Sequence, residues 1–339
     1  MKDLILPMLT GRGPGPPLVV FLLLGLAVFI IASRLAQDAD RIADATGLGR
    51  LWIGTLLLAG STSLPELLTD VNAALLDLPN IGVGDLLGST MANMLILGVL
   101  DLVYLKRRIL ENVAVDHVLV AILALVLTAM TGIAVTTGGW GSVGHVGIET
   151  LTIGVTYLLG MRMVYRSSAA HVPHEQMALG EDQRTLLRRG LTGLGAAAAG
   201  LLVTTPLLVI SADALAIESG LSNTAVGTLL VGFTTSFPEL AATIAAVRLG
   251  ALDLAVGNIF GSSAFNMFLL LPVDLAYRPG PLLASVAGTH GISAQFAILA
   301  LALGILGILA RAARRTLAVR LESVAILAAY ASLAWLLVR

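Results

Sequence analysis

The chain has 339 residues, 57% of them hydrophobic and only 12% charged, with a formal net charge of −1 and no cysteine. A soluble domain carries about 25% charged residues, so an ordinary soluble globule is excluded, and the near-zero charge gives no footing for nucleic acid as a partner. Without cysteine there are no disulfides, thiolate metal sites or thiol catalysis.

Apolar runs recur from Leu18 to Val338 and predict an all-α polytopic membrane protein of ten transmembrane helices. Residues 1–17 read as a short polar, Pro/Gly-rich tail that lacks the apolar core and cleavage site of a signal peptide. The first run, Leu18–Ala36, is therefore expected to stay as a span. The next four are placed at Leu51–Leu76, Ile81–Leu105, Val113–Val135 and Val143–Val164. A polar stretch at 166–189, with His171, His174, Glu175, Glu181 and Asp182, reads as a linker too short to be a regulatory domain. Spans six to ten follow at Leu191–Ile217, Ala225–Leu249, Leu252–Tyr277, Ile292–Ala310 and Leu321–Val338. Of the 20 Lys and Arg, only Lys2, Arg12, Arg278 and Arg339 fall on the side of the termini, and the other 16 lie on the opposite side. The positive-inside rule then puts the 166–189 linker in the cytoplasm and both termini outside, in a multi-pass protein of the plasma (inner) membrane.

Two stretches break the apolar pattern alike. Thr62-Ser63-Leu64-Pro65-Glu66 and Thr235-Ser236-Phe237-Pro238-Glu239 each set a carboxylate directly after a proline inside a span. A charge at a helix centre costs about 2.5–3.5 kcal/mol on insertion scales and by default marks function. Residues 54–101 lie over 227–274 without a gap, at a constant offset of 173. Thr-Ser, Pro-Glu-Leu, Val-Gly, Gly-Ser and Asn-Met all fall in register. With five spans per copy, the two copies enter the membrane from opposite sides. That is the inverted-repeat plan of secondary transporters, with the site near the midplane between repeats. The expected domains are 1–165, the linker 166–189, and 190–339.

Pro65 lacks an N–H and clashes with the carbonyl of Ser61, so the helix should unwind there, and likewise before Glu239. Freed carbonyls, hydroxyls of Thr62, Ser63, Thr234, Thr235 and Ser236, and two carboxylates are hard oxygen ligands suited to Ca2+ or Na+. Ser89 and Asn93 share a helical face, as do Ser262 and Asn266, and add a second wall. Competition of cations for one carboxylate pair is the simplest basis for antiport. Other readings stay open for single residues. Asn93 and Asn266 have interhelical hydrogen bonding as their alternative role. Asp85 fits a helix start or cavity edge. Asp70, four residues after Glu66, fits either an ion path or a helix end at the interface. His117, His145, His171, His174 and His290 read as interface or loop residues, not metal ligands.

These motifs resemble the cation/calcium antiporter superfamily, the sodium/calcium exchanger group in its small prokaryotic form. Its repeats read G-T-S-L-P-E and then G-N-x-x-G-S-x-x-x-N/D; here they are 61–66 with 84–93, and 234–239 with 257–266. The resemblance implies exchange of Ca2+ for Na+ by alternating access, with no cofactor and no obligate protein partner. Glu66 and Glu239 would be shared central ligands. Thr62, Ser63, Thr235, Ser236, Ser89, Ser262, Asn93 and Asn266 would complete the ion sites, together with the carbonyls of Ala59 and Gly232. The chain departs from the pattern at Ser61 and Thr234, where the family has Gly, and at Asn266, where related prokaryotic exchangers often have Asp. It also carries Asp85 in place of the usual Asn, and Asp85 is expected to restore the missing charge. Ca2+/H+ exchange, or exchange of another divalent cation, remains open within this class. A cation channel is the alternative outside it. An enzyme is not expected, because the carboxylates have no accompanying nucleophile or cofactor motif.

Overall fold

The computed structural model describes residues 1–46, 60, 62–104, 109–110, 117–168, 181–310 and 320–339. The molecule is helical. Its one strand pairing among the described residues is a two-residue hairpin, Ser142–Val143 with Val146–Gly147.

Residues 1–17, expected to be a polar tail, instead begin with a helix, α1 (Lys2–Leu9). The tail is held by long-range contacts: Lys2 Nζ pairs with Asp213 at 3.1 Å, and the Gly11 N–H donates to Glu218. Helix α2 (Gly15–Thr46) opens on prolines in its first turn, where their missing N–H costs nothing, and runs past its expected end. Residues 37–46 hold no glycine or proline to stop the helix. The first part of the expected second span, including Ala59 and Ser61, lies outside the described residues. It is followed by α3 (Leu64–Leu75), α4 (Pro79–Val103), α5 (His117–Thr137) and α6 (Ile148–Ser168).

Helix α7 (Glu181–Ser219) starts inside the stretch expected to be a linker, because Arg184–Arg189 is rich in Leu and Arg. The second motif follows as α8 (Asn223–Ala225), a π-helical stretch (Val226–Val231), α9 (Gly232–Thr235) and α10 (Phe237–Leu249). The chain ends with α11 (Leu252–Ala276), α12 (His290–Leu309) and α13 (Leu321–Val338).

Seven helices among the described residues (α2, α4, α5, α7, α11, α12 and α13) are long and apolar enough to cross a membrane, and the bent pair ending in α10 makes an eighth. The expected fifth span, α6, is 21 residues long but carries Glu149, Arg162 and Arg166. Helices α4 and α11 form the centre: 78% and 72% of their apolar stretches are buried, against 28% for α2 and α13. Around them α5, α12 and α13 complete the main apolar core, while α2 packs along α7 in a second, smaller one. The outward faces of α2, α6 and α7 expose Leu22, Leu23, Leu158, Leu159, Leu202 and Val203, a surface suited to lipid.

The central helices end alike. Asp101 accepts the N–H of Leu110, and Asp274, at the matched position, accepts the N–H of Leu282 at 2.8 Å. Each carboxylate thereby ties down the loop that leaves its helix. Asp101 is also paired with Arg320 at 2.6 Å and accepts from Ser323 at 2.8 Å; both charged partners are buried. Removing one member of a buried pair costs about 3–5 kcal/mol. Arg320→Met is therefore expected to lower the melting temperature of the purified protein more than the double change with Asp101→Asn. Equal melting of single and double variants would show that the pair is not coupled.

His290, expected at an interface or in a loop, is fully buried at the head of α12. Its Nε2 lies 3.3 Å from Thr224 Oγ1 and 3.2 Å from Asn80 Oδ1, so it joins the starts of α4, α8 and α12.

Candidate functional site

Each glutamate sits at the start of a new helix, and proline explains why. A Pro in the first turn has no N–H to waste, so the helix restarts at it. Ser63, at φ −89° and ψ 8°, precedes α3, with Pro65 and Glu66 in its first turn. Ser236, at φ −79° and ψ 3°, separates α9 from α10, with Pro238 and Glu239 in the first turn. The axis turns by 42° at that break. Both carboxylates lie where helix N–H groups point, which favours negative charge.

The two motifs cross over. Ser63 Oγ of the first repeat donates to Glu239 Oε1 of the second at 3.3 Å, and Ser262 Oγ donates to the same oxygen at 3.3 Å. Thr62 also reaches the Glu239 carboxylate. In the other direction, Ser89 Oγ donates to the Gly232 carbonyl at 3.1 Å and lies 3.1 Å from Thr235 Oγ1. Ser236 Oγ caps the same carbonyl at 2.8 Å. The crossing is not symmetric, because Thr235 turns to Asp85 Oδ1, at 2.7 Å, and Ser89 lies 3.3 Å from that oxygen. The Asp85 side chain is fully buried in the second turn of α4, at the site and not at its edge. Asn93 Nδ2 reaches Ser263 across the repeats at 3.5 Å.

Thr62, Ser63, Glu66, Asp85, Ser89, Asn93, Thr235, Ser236, Glu239, Ser262 and Asn266 are all buried where α3, α4, α9, α10 and α11 meet, with the Gly232 carbonyl among them. Several of their atoms have no hydrogen-bond partner: Glu66 Oε2, Glu239 Oε2, Asp85 Oδ2, Asn93 Oδ1, and both side-chain polar atoms of Asn266. Buried polar groups are nearly always paired, and an unpaired one costs about 1–3 kcal/mol. Oxygens gathered this way are of the type that coordinates hard cations. The ion pairs among the described residues lie elsewhere, at Asp213, Asp38, Asp253 and Asp101. No three Asp, Glu or His side chains among the described residues converge as a metal site. An ion here would therefore take carboxylate, hydroxyl and carbonyl oxygens together.

The sodium/calcium exchanger protein family matches the chain over residues 16–164 and 189–339, which spans both crossing motifs. The chain belongs to the sodium/calcium exchanger family. It is similar to the inner membrane protein YrbG of Escherichia coli, at 31% identity over 76% of this chain and 79% of that one. Its fold matches the sodium-calcium exchanger NCX_Mj with a TM-score of 0.60 and 22% identity, over 93% of this chain and 96% of that one. It also matches the H+/Ca2+ exchanger CAX with a TM-score of 0.65 and 16% identity, over 95% and 87%. Family membership makes this a multi-pass integral membrane protein of a family of transporters.

One residue of this family member was only half legible in sequence. Asp70 is fully buried, hydrogen-bonded to Asp85 and within interaction range of Glu66. The interface reading of Asp70 is thereby set aside. The available signal was the repeat offset: the positions matched to Asp70 and Asp85 are Thr243 and Asn258, so both acids are peculiar to the first repeat.

Proposed function

We propose that this chain is a secondary-active antiporter that exchanges Ca2+ for Na+ by alternating access. The observation that carries the reading is the crossing of the motifs, in which hydroxyls of Thr62 and Ser63 serve Glu239 while Ser89 meets Thr235 and Gly232. A carboxylate pair built jointly by two halves changes shape whenever the halves move against each other. The ligands are Glu66 and Glu239, with Thr62, Ser63, Ser89, Asn93, Thr235, Ser236, Ser262, Asn266, Asp85 and the carbonyls of Ala59 and Gly232. Ten spans in two inverted halves, 1–165 and 190–339, fit the offset of 173 and the matched loop ties of Asp101 and Asp274. The Lys and Arg distribution supports both termini outside and 166–189 in the cytoplasm, and the likeness to YrbG supports the inner membrane. No partner protein is needed for this cycle.

Exchange of Ca2+ for H+ is the second reading. It is favoured by Asp85 standing where the family has Asn and by the fold match to CAX. Proteoliposomes separate the two. Vesicles loaded with Na+ and diluted into Na+-free buffer are expected to take up ⁴⁵Ca2+ without a pH gradient. Uptake driven by ΔpH alone would establish the H+ reading. Absence of counterflow for any cation, or a conductance above transporter turnover in planar bilayers, would overturn antiport.

A further inference from the structure

Helix α1 (Lys2–Leu9) has eight residues. That makes it about 12 Å long, too short to cross a hydrocarbon layer of about 30 Å. It is nevertheless held against the bundle. Lys2 Nζ reaches Asp213 Oδ2 at 3.1 Å, and the Gly11 N–H donates to Glu218 Oε1 at 2.6 Å. Both carboxylates stand near the end of α7, which closes at Ser219, so α1 lies at that end of the span. Asp213 is buried within a helix long and apolar enough to cross the membrane, where a lone charge is costly. Lys2 supplies its countercharge.

Both faces of α1 are apolar, and the bundle uses one of them. Ile5, Leu6 and Leu9 are half-buried where α1 packs on α7. Met1, Leu4 and Met8, three and four residues apart, form the other face and are 61%, 69% and 63% exposed. The adjoining start of α2 exposes Leu18, Val19, Leu22 and Leu23, so the stripe continues the surface suited to lipid. A protein partner is disfavoured by area. Three side chains fall far short of the roughly 1,200–2,000 Å² that a specific protein–protein interface buries. A bilayer sets no such threshold, because an amphipathic helix seats its apolar face at the boundary of headgroups and acyl chains. Arg12, exposed just past α1, adds a cation for lipid phosphates. We infer that α1 is an interfacial anchor for a phospholipid surface, seated through Met1, Leu4 and Met8 and held to α7 by the Lys2–Asp213 pair. Because α1 is tied to α7 and leads into α2, it sets the depth at which the α2–α7 pair stands in the bilayer. The inference does not depend on the antiport reading.

The test measures depth. The chain has no cysteine, so single spin labels can be placed without background. Leu4→Cys, Met8→Cys and Arg12→Cys are labelled and reconstituted in vesicles of phosphatidylcholine and phosphatidylglycerol, with oxygen and a water-soluble nickel complex as relaxing agents. Labels at 4 and 8 are expected to respond at least threefold more to oxygen than to nickel, and the label at 12 to favour nickel. Adding Lys2→Met to the Leu4→Cys chain is expected to lower the oxygen-to-nickel ratio at least threefold, and Lys2→Arg to keep it within twofold. Labels at 4 and 8 that favour nickel would put the stripe in water and overturn the inference. Labels shielded from both agents would mean that protein covers the stripe, and would overturn it equally. An unchanged ratio in the Lys2→Met chain would overturn the part given to the ion pair.

Discussion

Glu66→Gln is expected to abolish cation counterflow, with a loss of more than about 100-fold, and Glu239→Gln to do the same. The substitution keeps size and shape and removes one charge. At about 4 Å and an effective dielectric near 20, a carboxylate contributes about 4 kcal/mol per unit of cation charge, and each 1.4 kcal/mol is tenfold in affinity. Glu239 Oε1 receives Ser63 and Ser262, Ser89 serves Glu66, and the Oε2 atoms of both glutamates receive nothing. Glu66→Gln also introduces an amide beside Asp85 and Asp70, where donors are scarce, so its fold should survive and its transport should not. Retention of uptake within twofold, in protein that remains monodisperse, would remove Glu66 from the ion path.

The pair of glutamates could be read before any coordinates because polar residues in a membrane chain are rare, and rarity made the repeat offset visible. Ser, Pro, Glu and Asn kept in register carry information that Leu and Ala do not. The same logic reached Ser89, Asn93, Ser262 and Asn266, all of which the fold brings to one buried region. It failed where position depends on how two helices cross. Asp70 looks like a helix-end carboxylate in sequence; it is interior because α3 packs along α4, which carries Asp85. His290 looks like a loop residue, yet Thr224 and Asn80 from two other segments enclose it. The N-terminal helix is fixed by Asp213 and Glu218, some two hundred residues away, and local composition says nothing of that. The π-helical stretch Val226–Val231 is uniformly apolar or small and leaves no periodic mark.

The crossing of the repeats and the asymmetry within it have one physical origin. The helix starts at Pro65 and Pro238 fix where the carboxylates stand, and the chain has little freedom there. What surrounds them is free to differ, and it does: a neutral Thr243–Asn258 tie in one half, and two carboxylates in the other. The charge beyond the two glutamates is therefore set by α3 and α4. The cation partners of the family member should be tunable at Asp70 and Asp85 without disturbing the two glutamates.

Gly88→Ala is expected to damage both the fold and the site. A Cβ on Gly88 would stand 2.1 Å from the Thr228 carbonyl oxygen, and one on Gly232 would stand 2.7 Å from the Gly88 carbonyl carbon and the Ser89 nitrogen. Backbone meets backbone there, so no side chain can rotate away, and α4 must move off the π-helical stretch and α9. Overpacking of this kind costs about 1–3 kcal/mol, occasionally more. The movement would part Ser89 from the Gly232 carbonyl and Asp85 from Thr235, the contacts that join the two repeats. The variant should therefore melt well below the unmodified chain and bind ⁴⁵Ca2+ at least about tenfold more weakly, a loss of about 1.4 kcal/mol. Gly195→Ala is the control. That glycine lies in α7 with open space around its Cβ position, and alanine there should leave binding unchanged and raise helix stability by up to about 1 kcal/mol. If Gly88→Ala melts and binds like the control, the close approach of α4 to the second motif is not what holds the ion ligands together.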